Sequence, residues 1–216
     1  MESNLVLPEV NAIPRDASRS QWYTDPRTAR RVVDWACLDW LGDVDPAVSS
    51  WTVLEPSAGD GALLRALEQY VPRQQMWSID IDPRNVELLQ SQGYQADCMD
   101  FLELQPTGRL DLVIMNPPYE DGQAEVHIIH ALNFAPRVVA LAPMTTLEGV
   151  TRSTRLWSHV ELQRMVVFSK RPKFGHVAGK GKGGGETAMC VFDIRRAKRG
   201  KEQPLKMDSV SVEFWR

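Results

Sequence analysis

The stretch Trp51-Thr52-Val53-Leu54-Glu55-Pro56-Ser57-Ala58-Gly59-Asp60-Gly61 decides the fold. Its first four residues predict a short buried strand, and apolar residues recur at helical spacing after the turn that follows. A strand, a tight glycine-containing turn and a helix, in this order, are typical of the nucleotide-binding start of a doubly wound α/β sheet. We therefore predict a sheet of parallel strands with helices on both faces.

The glycine turn also indicates which kind of ligand it accepts. Gly59 and Gly61 carry no Cβ, so a ligand can approach the backbone closely. The turn lacks the GxxxxGK[ST] pattern of a triphosphate loop, and the carboxylates of Glu55 and Asp60 would repel a pyrophosphate. These acids disfavour a nicotinamide dehydrogenase and favour a ligand with a cationic or amino group, such as adenosine joined to a sulfonium amino acid.

Acidic residues follow the next two predicted strands. Asp80 comes after the predicted strand 75–79, where an acid usually binds a ribose diol. Asp82 precedes a proline and is expected to cap a helix, so Asp80 is the favoured ribose ligand. In the loop after the third strand, Asp100 can bond an adenine amino group and Phe101 can cover the ring, unless Phe101 belongs to the core.

A polar tetrapeptide, Asn116-Pro117-Pro118-Tyr119, follows the apolar run 110–115. In open α/β sheets ligands bind beyond the carboxyl ends of the strands, so chemistry belongs here. The Asn116 amide and the proline carbonyls are hydrogen-bond acceptors, and Tyr119 offers a ring for stacking. This combination suits a planar ring that bears an exocyclic amino group.

Charge is distributed unevenly along the chain, whose net charge is −3. Residues 163–206 hold 12 Lys and Arg against 3 Asp and Glu, a local charge of +9. Within them, residues 169–187 predict a basic, glycine-rich flap that contacts a polyanion, a solvated hairpin tip being the alternative. Its candidate substrate-binding residues are Lys170, Arg171, Lys173, Phe174, Lys180 and Lys182.

Length and composition predict one domain of ordinary globular character. We expect an N-terminal arm over 1–20, the domain over 21–196 and a C-terminal tail over 197–216. The chain has 3 cysteines, far apart in sequence, which are typical of buried thiols in a reducing cytoplasm. No apolar run reaches the length of about 18 residues that a membrane-spanning helix needs, and no secretory signal precedes the domain.

With these residues in place, the chain resembles the S-adenosylmethionine-dependent DNA adenine-N6 methyltransferases of the gamma group, in which the cofactor motifs precede the catalytic tetrapeptide. The resemblance covers about residues 21–194 and implies a mostly parallel, seven-stranded Rossmann-like sheet with a C-terminal antiparallel hairpin. It implies a catalytic motif of Asn116, Pro117, Pro118 and Tyr119, with Phe174 as a second aromatic against a flipped base. The residues that it implies for S-adenosylmethionine are Tyr23, Thr24, Glu55, Pro56, Ser57, Gly59, Asp60, Gly61, Asp80, Ile81, Asp100 and Phe101.

The resemblance implies DNA as the partner, either double-stranded with an everted adenine or single-stranded. RNA adenine-N6, protein glutamine-N5 and cytosine-N4 methylation use related chemistry and stay open, as does a binding protein that has lost turnover. No metal is implied, because His127 and His130 lie one helical turn apart without further ligands nearby in sequence. The sequence leaves the recognition site and the oligomeric state undetermined.

Overall fold

The computed structural model describes residues 22–38, 47–170, 172, 174–176, 188–196 and 210–215. The predicted arm over 1–20 lies outside these ranges, as do Arg171, Lys173, Lys180 and Lys182 of the flap. Among the helices described, none is both long and apolar enough to cross a membrane.

The described elements alternate between strands and helices, as the sequence predicts. The strands are β1 (Trp22–Thr24), β2 (Val53–Glu55), β3 (Met76–Asp80), β4 (Gln95–Cys98), β5 (Leu112–Met115), β6 (Arg137–Pro143), β7 (Val160–Phe168), β8 (Phe174–His176), β9 (Met189–Arg196) and β10 (Ser211–Trp215). The helices are α1 (Pro26–Cys37), α2 (Ala62–Leu67), α3 (Pro83–Ser91), α4 (Gln123–Ala131) and α5 (Val150–Arg152), which continues as a π-helical segment over Ser153–Trp157.

Eight strands form the main sheet in the order β4-β3-β2-β5-β6-β9-β7-β10. All neighbouring pairs are parallel except those of β9, which is antiparallel to both β6 and β7. The predicted mostly parallel Rossmann-like sheet with an antiparallel C-terminal hairpin is therefore confirmed. Since the strand order reverses at β2, with β3 on one side and β5 on the other, a crevice is expected at their carboxyl ends.

The sheet has one strand more than the predicted seven. Ser211–Trp215 extends the edge of the sheet by pairing in parallel with β7, so this part of the predicted tail is a strand. Its Trp215 packs edge-on against Trp35 of α1 and Phe168 of β7. Glu213 accepts a hydrogen bond from the Trp35 indole, 2.8 Å away. These contacts hold the strand to the sheet and to α1.

The apolar core lies on both faces of the sheet. One cluster packs α1, α2 and α3 against it, and the other packs α4 and the π-helical segment. The strands β5 and β6 are buried on both faces, which explains their nearly continuous runs of apolar residues. The helical stretch that begins at Val150 ends at Trp157, shortly before β7 begins at Val160.

Candidate active site

A pocket of about 220 Å³ opens at the carboxyl ends of β2 and β5. Its walls come from segments that are far apart in sequence: the end of β1, the glycine turn after β2, the start of α2 and the first residue after β5. The lining residues are Tyr23, Thr24, Glu55, Ser57, Ala58, Gly59, Asp60, Ala62, Leu63 and Asn116. The structure therefore brings the predicted cofactor turn and the predicted catalytic amide to one pocket.

The glycine turn has the backbone conformation that the sequence predicts. Gly59 and Gly61 adopt positive φ values of 53° and 82°, which residues with a Cβ rarely adopt. A Cβ at Gly59 would lie 2.9 Å from Cδ1 of Tyr23, so the Tyr23 ring covers the turn closely. The Gly61 amide donates to the Ala58 carbonyl at 2.8 Å, which closes the turn just before α2.

Glu55 is the unusual group in this pocket. The residue is 2% exposed, and its Oε2 atom is buried without a hydrogen-bond partner among the described residues. Burial raises the pKa of the Glu55 carboxyl well above its ordinary value, and the charges of Asp60 and Asp80 raise it further. A buried acceptor without a partner, in an acidic pocket, is suited to receive the amino group of a ligand.

Asp80 connects the end of β3 to the glycine turn. Its Oδ2 accepts the Gly59 amide at 2.7 Å, and its Oδ1 accepts the Asp82 amide at 2.8 Å and the Asn85 side chain at 3.1 Å. Burial raises the pKa of Asp80, although these three hydrogen bonds favour the charged form. In this structure the predicted ribose ligand therefore has bonds on both oxygens, and it holds the turn in place.

Two predictions concern the residues directly after Asp80: that Asp82 caps a helix and that Ile81 contacts the cofactor. Asp82 caps α3 by accepting the Arg84 amide at 2.9 Å, as expected. Ile81 is 40% exposed, which leaves an apolar side chain beside the strand end. Its contact with a cofactor stays a prediction.

The pair Asp100-Phe101 lies just beyond β4, whose last residue pairs with Asp80. Asp100 is half-buried and caps a short 3₁₀ turn by accepting the Leu102 amide at 2.9 Å. The Phe101 ring is 2% exposed and lies 4.8 Å from the ring of His130 and 5.4 Å from that of Phe134. The structure thus places Phe101 in the core, whereas the contact of Asp100 with a cofactor stays a prediction.

His127 and His130 belong to this same packed region. Nδ1 of His127 lies 2.8 Å from the Gln123 carbonyl, and Nε2 of His130 lies 3.1 Å from the Leu104 carbonyl. Burial lowers the pKa of His130, which favours its neutral form. Both imidazoles therefore fill structural positions against Phe101.

The Asn116 amide sits at the end of β5 between two hydroxyl groups. Its Nδ2 donates to Oγ1 of Thr24 at 2.9 Å, and its Oδ1 accepts a hydrogen bond from the hydroxyl of Tyr119. Thr24 is 7% exposed, and Asn116, Pro118 and Tyr119 are half-buried. In this structure Tyr119 therefore folds back onto the amide that it follows.

Asn85 is a site residue that the sequence reasoning missed. It is 5% exposed, and its Oδ1 accepts the Tyr23 hydroxyl at 2.9 Å while its Nδ2 donates to Asp80. Burial raises the pKa of the Tyr23 hydroxyl, so it stays a donor at neutral pH. A polar residue in the first turn of α3, on the buried face that carries Val86 and Leu89, is the sequence feature that could have indicated this role for Asn85.

The flap is described only in part. Lys170 is exposed directly after β7. The backbone of Phe174 pairs with that of Thr24, because β8 is antiparallel to β1. Within the flap, β8 therefore lies beside the strand that carries Thr24, a residue of the pocket wall, whereas the roles of the flap lysines stay predictions.

The chain is similar to methyltransferases. It is 29% identical over 96 residues to the type II methyltransferase M.CvrRI of Paramecium bursaria Chlorella virus XZ-6E, covering 44% of this chain and 23% of that protein. It is 31% identical over 114 residues to the release factor glutamine methyltransferase of Bifidobacterium longum (strain NCC 2705), covering 44% of this chain and 37% of that protein. No family model matches the chain.

Solved structures give the same assignment of the fold. The M protein of the type I restriction enzyme EcoKI superimposes with a TM-score of 0.61 at 14% identity, over 91% of this chain and 49% of that one. Other solved structures with this fold bear the names of RNA methyltransferases. The fold is that of the class I S-adenosylmethionine-dependent methyltransferases. The chain spans well under half the length of the curated relatives that it matches.

Proposed function

We propose that this chain transfers a methyl group from S-adenosylmethionine to the N6 amino group of adenine in DNA. The observation that carries the proposal is the shared pocket, which both the glycine turn and Asn116 line. A donor held at the turn and an amino group held by the amide would then meet directly. The similarity to a viral type II methyltransferase supports DNA as the substrate.

The residues of the pocket fit the amino-acid end of this cofactor. The orphaned Glu55 oxygen and the nearby Asp60 carboxylate suit its ammonium group, and the positive-φ glycines allow its close approach to the backbone. The pocket lies at the glycine turn, so we place the amino-acid part of the cofactor there and the nucleoside toward Asp80 and Asp100, at the ends of the next strands. When bound, the cofactor supplies a methyl group on a cationic sulfur.

The protein's own contribution is to make a weak nucleophile attack. The lone pair of an adenine N6 is delocalised into the ring. Acceptors on both N6 hydrogens, the Asn116 Oδ1 and the Pro117 carbonyl, would localise that pair on nitrogen. An amide has no useful proton affinity near neutral pH, so Asn116 orients and polarises the amine without acting as a base. Catalysis then depends on positioning and electrostatics.

The substrate base must leave its stack to reach this pocket. Enzymes that modify a base evert it, and stacking on aromatic side chains repays part of the cost, at about 1–3 kcal/mol per stack. The Tyr119 hydroxyl contacts the amide, and the backbone of Phe174 pairs with that of Thr24, which supports these two residues as the candidates for stacking on the base. The Tyr119 hydroxyl donates to the same Asn116 oxygen that a substrate amine would contact, so the two compete for its lone pairs.

The test is direct. The protein is incubated with S-adenosylmethionine labelled on its methyl group and with DNA, RNA or a protein extract, and the modified unit is identified by mass spectrometry after digestion. We expect N6-methyl-2′-deoxyadenosine from DNA, loss of the signal in Asn116→Ala, and normal activity in Asn133→Ala, which changes an exposed asparagine outside the pocket. N5-methylglutamine or methylated RNA alone would refute DNA as the substrate.

Protein glutamine methylation is the second candidate, because relatives in two bacteria carry that name. Its substrate is also a planar nitrogen, which the same acceptors would polarise. The basic flap separates the two readings, since phosphate contacts make nucleic-acid binding strongly dependent on salt. Changing Lys170, Lys173, Lys180 and Lys182 together to Gln should flatten the salt dependence of DNA binding. An unaltered slope would show that the flap does not contact phosphate.

A further inference from the structure

Thr24 forms a hydrogen bond with the side chain of Asn116, although the two residues are far apart in the sequence. Its Oγ1 accepts the Asn116 side-chain amide at 2.9 Å, across 92 residues of sequence. We propose that Thr24 is the positioning residue that fixes which end of the Asn116 amide faces the substrate. This inference rests on the function proposed above.

The orientation of the amide matters because its two ends are opposite in character. The oxygen accepts hydrogen bonds, and the nitrogen only donates them. A substrate amine presents hydrogens, so it pairs with Oδ1 and is repelled by Nδ2. An Asn116 side chain that rotates by half a turn about its last bond would face the substrate with the wrong end.

Thr24, and not Tyr119, is suited to hold this orientation while substrate is bound. Tyr119 contacts Oδ1, so its hydrogen bond competes with the substrate amine for the lone pairs of the same atom. Thr24 contacts Nδ2 from the opposite side, and its bond can persist. Its backbone is also held, because β1 pairs with β8 on one side and Asp25 caps α1 directly after it.

The hydroxyl has a second property that favours this orientation. It carries one proton and two lone pairs, and Thr24 lines the pocket as well as contacting Asn116. When the proton serves an anionic group of a ligand in the pocket, only lone pairs are left for Asn116. The amide must then present its nitrogen to Thr24 and its oxygen to the substrate side.

The experiment compares Thr24→Val, which removes the hydroxyl but keeps the shape, with Thr24→Ser, which keeps the hydroxyl. Thr28→Val is the matched control, because Thr28 is equally buried at 7% exposure and its hydroxyl bonds Asp25 instead. Two quantities are measured for each variant. One is kcat at saturating S-adenosylmethionine, and the other is the NMR signal of the Asn116 side-chain NH₂ with S-adenosylhomocysteine, identified by its loss in Asn116→Asp.

We expect Thr24→Val to lower kcat about ten- to a hundredfold, with Thr24→Ser and Thr28→Val within about threefold of the wild type. The Asn116 NH₂ protons should exchange with water faster only in Thr24→Val. An unchanged kcat with weaker cofactor binding, or equal losses in the Val and Ser variants, would overturn the proposal, as would unchanged NH₂ signals. If the wild type methylates nothing, the proposed function fails, while the NMR comparison still decides whether Thr24 holds the amide.

Discussion

Glu55→Gln should stabilise this protein at neutral pH while it impairs ligand binding. The wild-type carboxyl is 2% exposed, has an oxygen without a partner and lies near Asp60 and Asp80. Glutamine keeps a polar atom at the same position, so the change removes the cost of the charge and its repulsion from Asp60 and Asp80, which is comparable to the cost of about 1–3 kcal/mol or more for a buried unpaired group. Removing the charge should therefore raise the free energy of unfolding by about 1–3 kcal/mol at pH 7.5. For a chain of 216 residues this corresponds to roughly 2–4 °C in Tm for each kcal/mol.

The gain in unfolding free energy from Glu55→Gln should depend on pH. The pKa of Glu55 is raised in the folded state, so the folded protein holds this proton more tightly than the unfolded chain does. Its stabilising effect is present below the unfolded pKa of about 4.3 and is lost as the pH rises through the folded pKa. The advantage of Glu55→Gln should therefore be small near pH 4.5 and should grow toward pH 7.5.

The assay is chemical denaturation from pH 4.5 to 8 for the wild type, Glu55→Gln and Asp60→Asn. Asp60 is the matched control, because it is an acid of the same pocket that is 39% exposed and pairs with Arg65 at 3.1 Å. It also accepts the Ala62 amide, so the loss of these bonds should offset the relief of its repulsion with Glu55 and leave little net gain. An equal gain in both variants, or a gain for Glu55→Gln that does not depend on pH, would refute the reasoning.

Three further changes test other parts of the structure. Gly61→Ala should cost at least about 1 kcal/mol of unfolding free energy, because φ is 82° and the new Cβ would lie 2.7 Å from Cδ2 of Leu89; Gly108→Ala, with open space around it, should be nearly neutral in the same denaturation assay. Asp193→Asn should lower the free energy of unfolding by about 3–5 kcal/mol, because Arg137 and Arg164 lose the carboxylate that binds them at 2.8 and 3.0 Å. These guanidiniums lower the pKa of Asp193, so the difference from the wild type should shrink below pH 4. Tyr119→Phe should keep kcat/KM for DNA within about threefold, since the ring remains, whereas Tyr119→Ala should lose about five- to a hundredfold; equal kinetic losses would assign the effect to the hydroxyl.

Much of the fold was predictable because its signals are local. The run over 51–61 holds a strand, a turn and a helix start in one stretch, and the apolar run before Asn116 is long enough to predict a strand buried on both faces. β10 was missed because an edge strand of five residues is specified by its contacts. Trp215 and Glu213 find their partners in α1, more than 170 residues earlier in the chain, and no local pattern indicates that.

The site was predictable to the level of segments and less so to the level of atoms. Motif positions placed Glu55, Gly59 and Asn116 at strand ends, the family resemblance added Thr24, and the structure brings all four to one pocket. The spacing of motifs gives the position of a residue along the fold. The direction of its side chain depends on packing against distant segments, which the spacing does not reveal. Phe101 illustrates the limit, because an aromatic after a strand end suits a ligand or a core equally well until α4 brings His130 against it.

The short strand β1 explains how the two halves of the site are held together. Tyr23 covers Gly59 and bonds Asn85, which in turn bonds Asp80, so one side chain of β1 is tied to the cofactor turn. Thr24 bonds Asn116. The backbones of Tyr23 and Thr24 pair with β8, a strand within the flap. The glycine turn, Asn116 and β8 all contact Tyr23 or Thr24 of β1. We therefore expect that a ligand bound at the turn also changes the position of the amide and of the flap. Binding of cofactor and of nucleic acid should therefore be coupled, by equal factors in both directions. Titrating DNA with and without S-adenosylhomocysteine measures that factor, and Tyr23→Ala, which breaks the link to the turn, should bring it toward one.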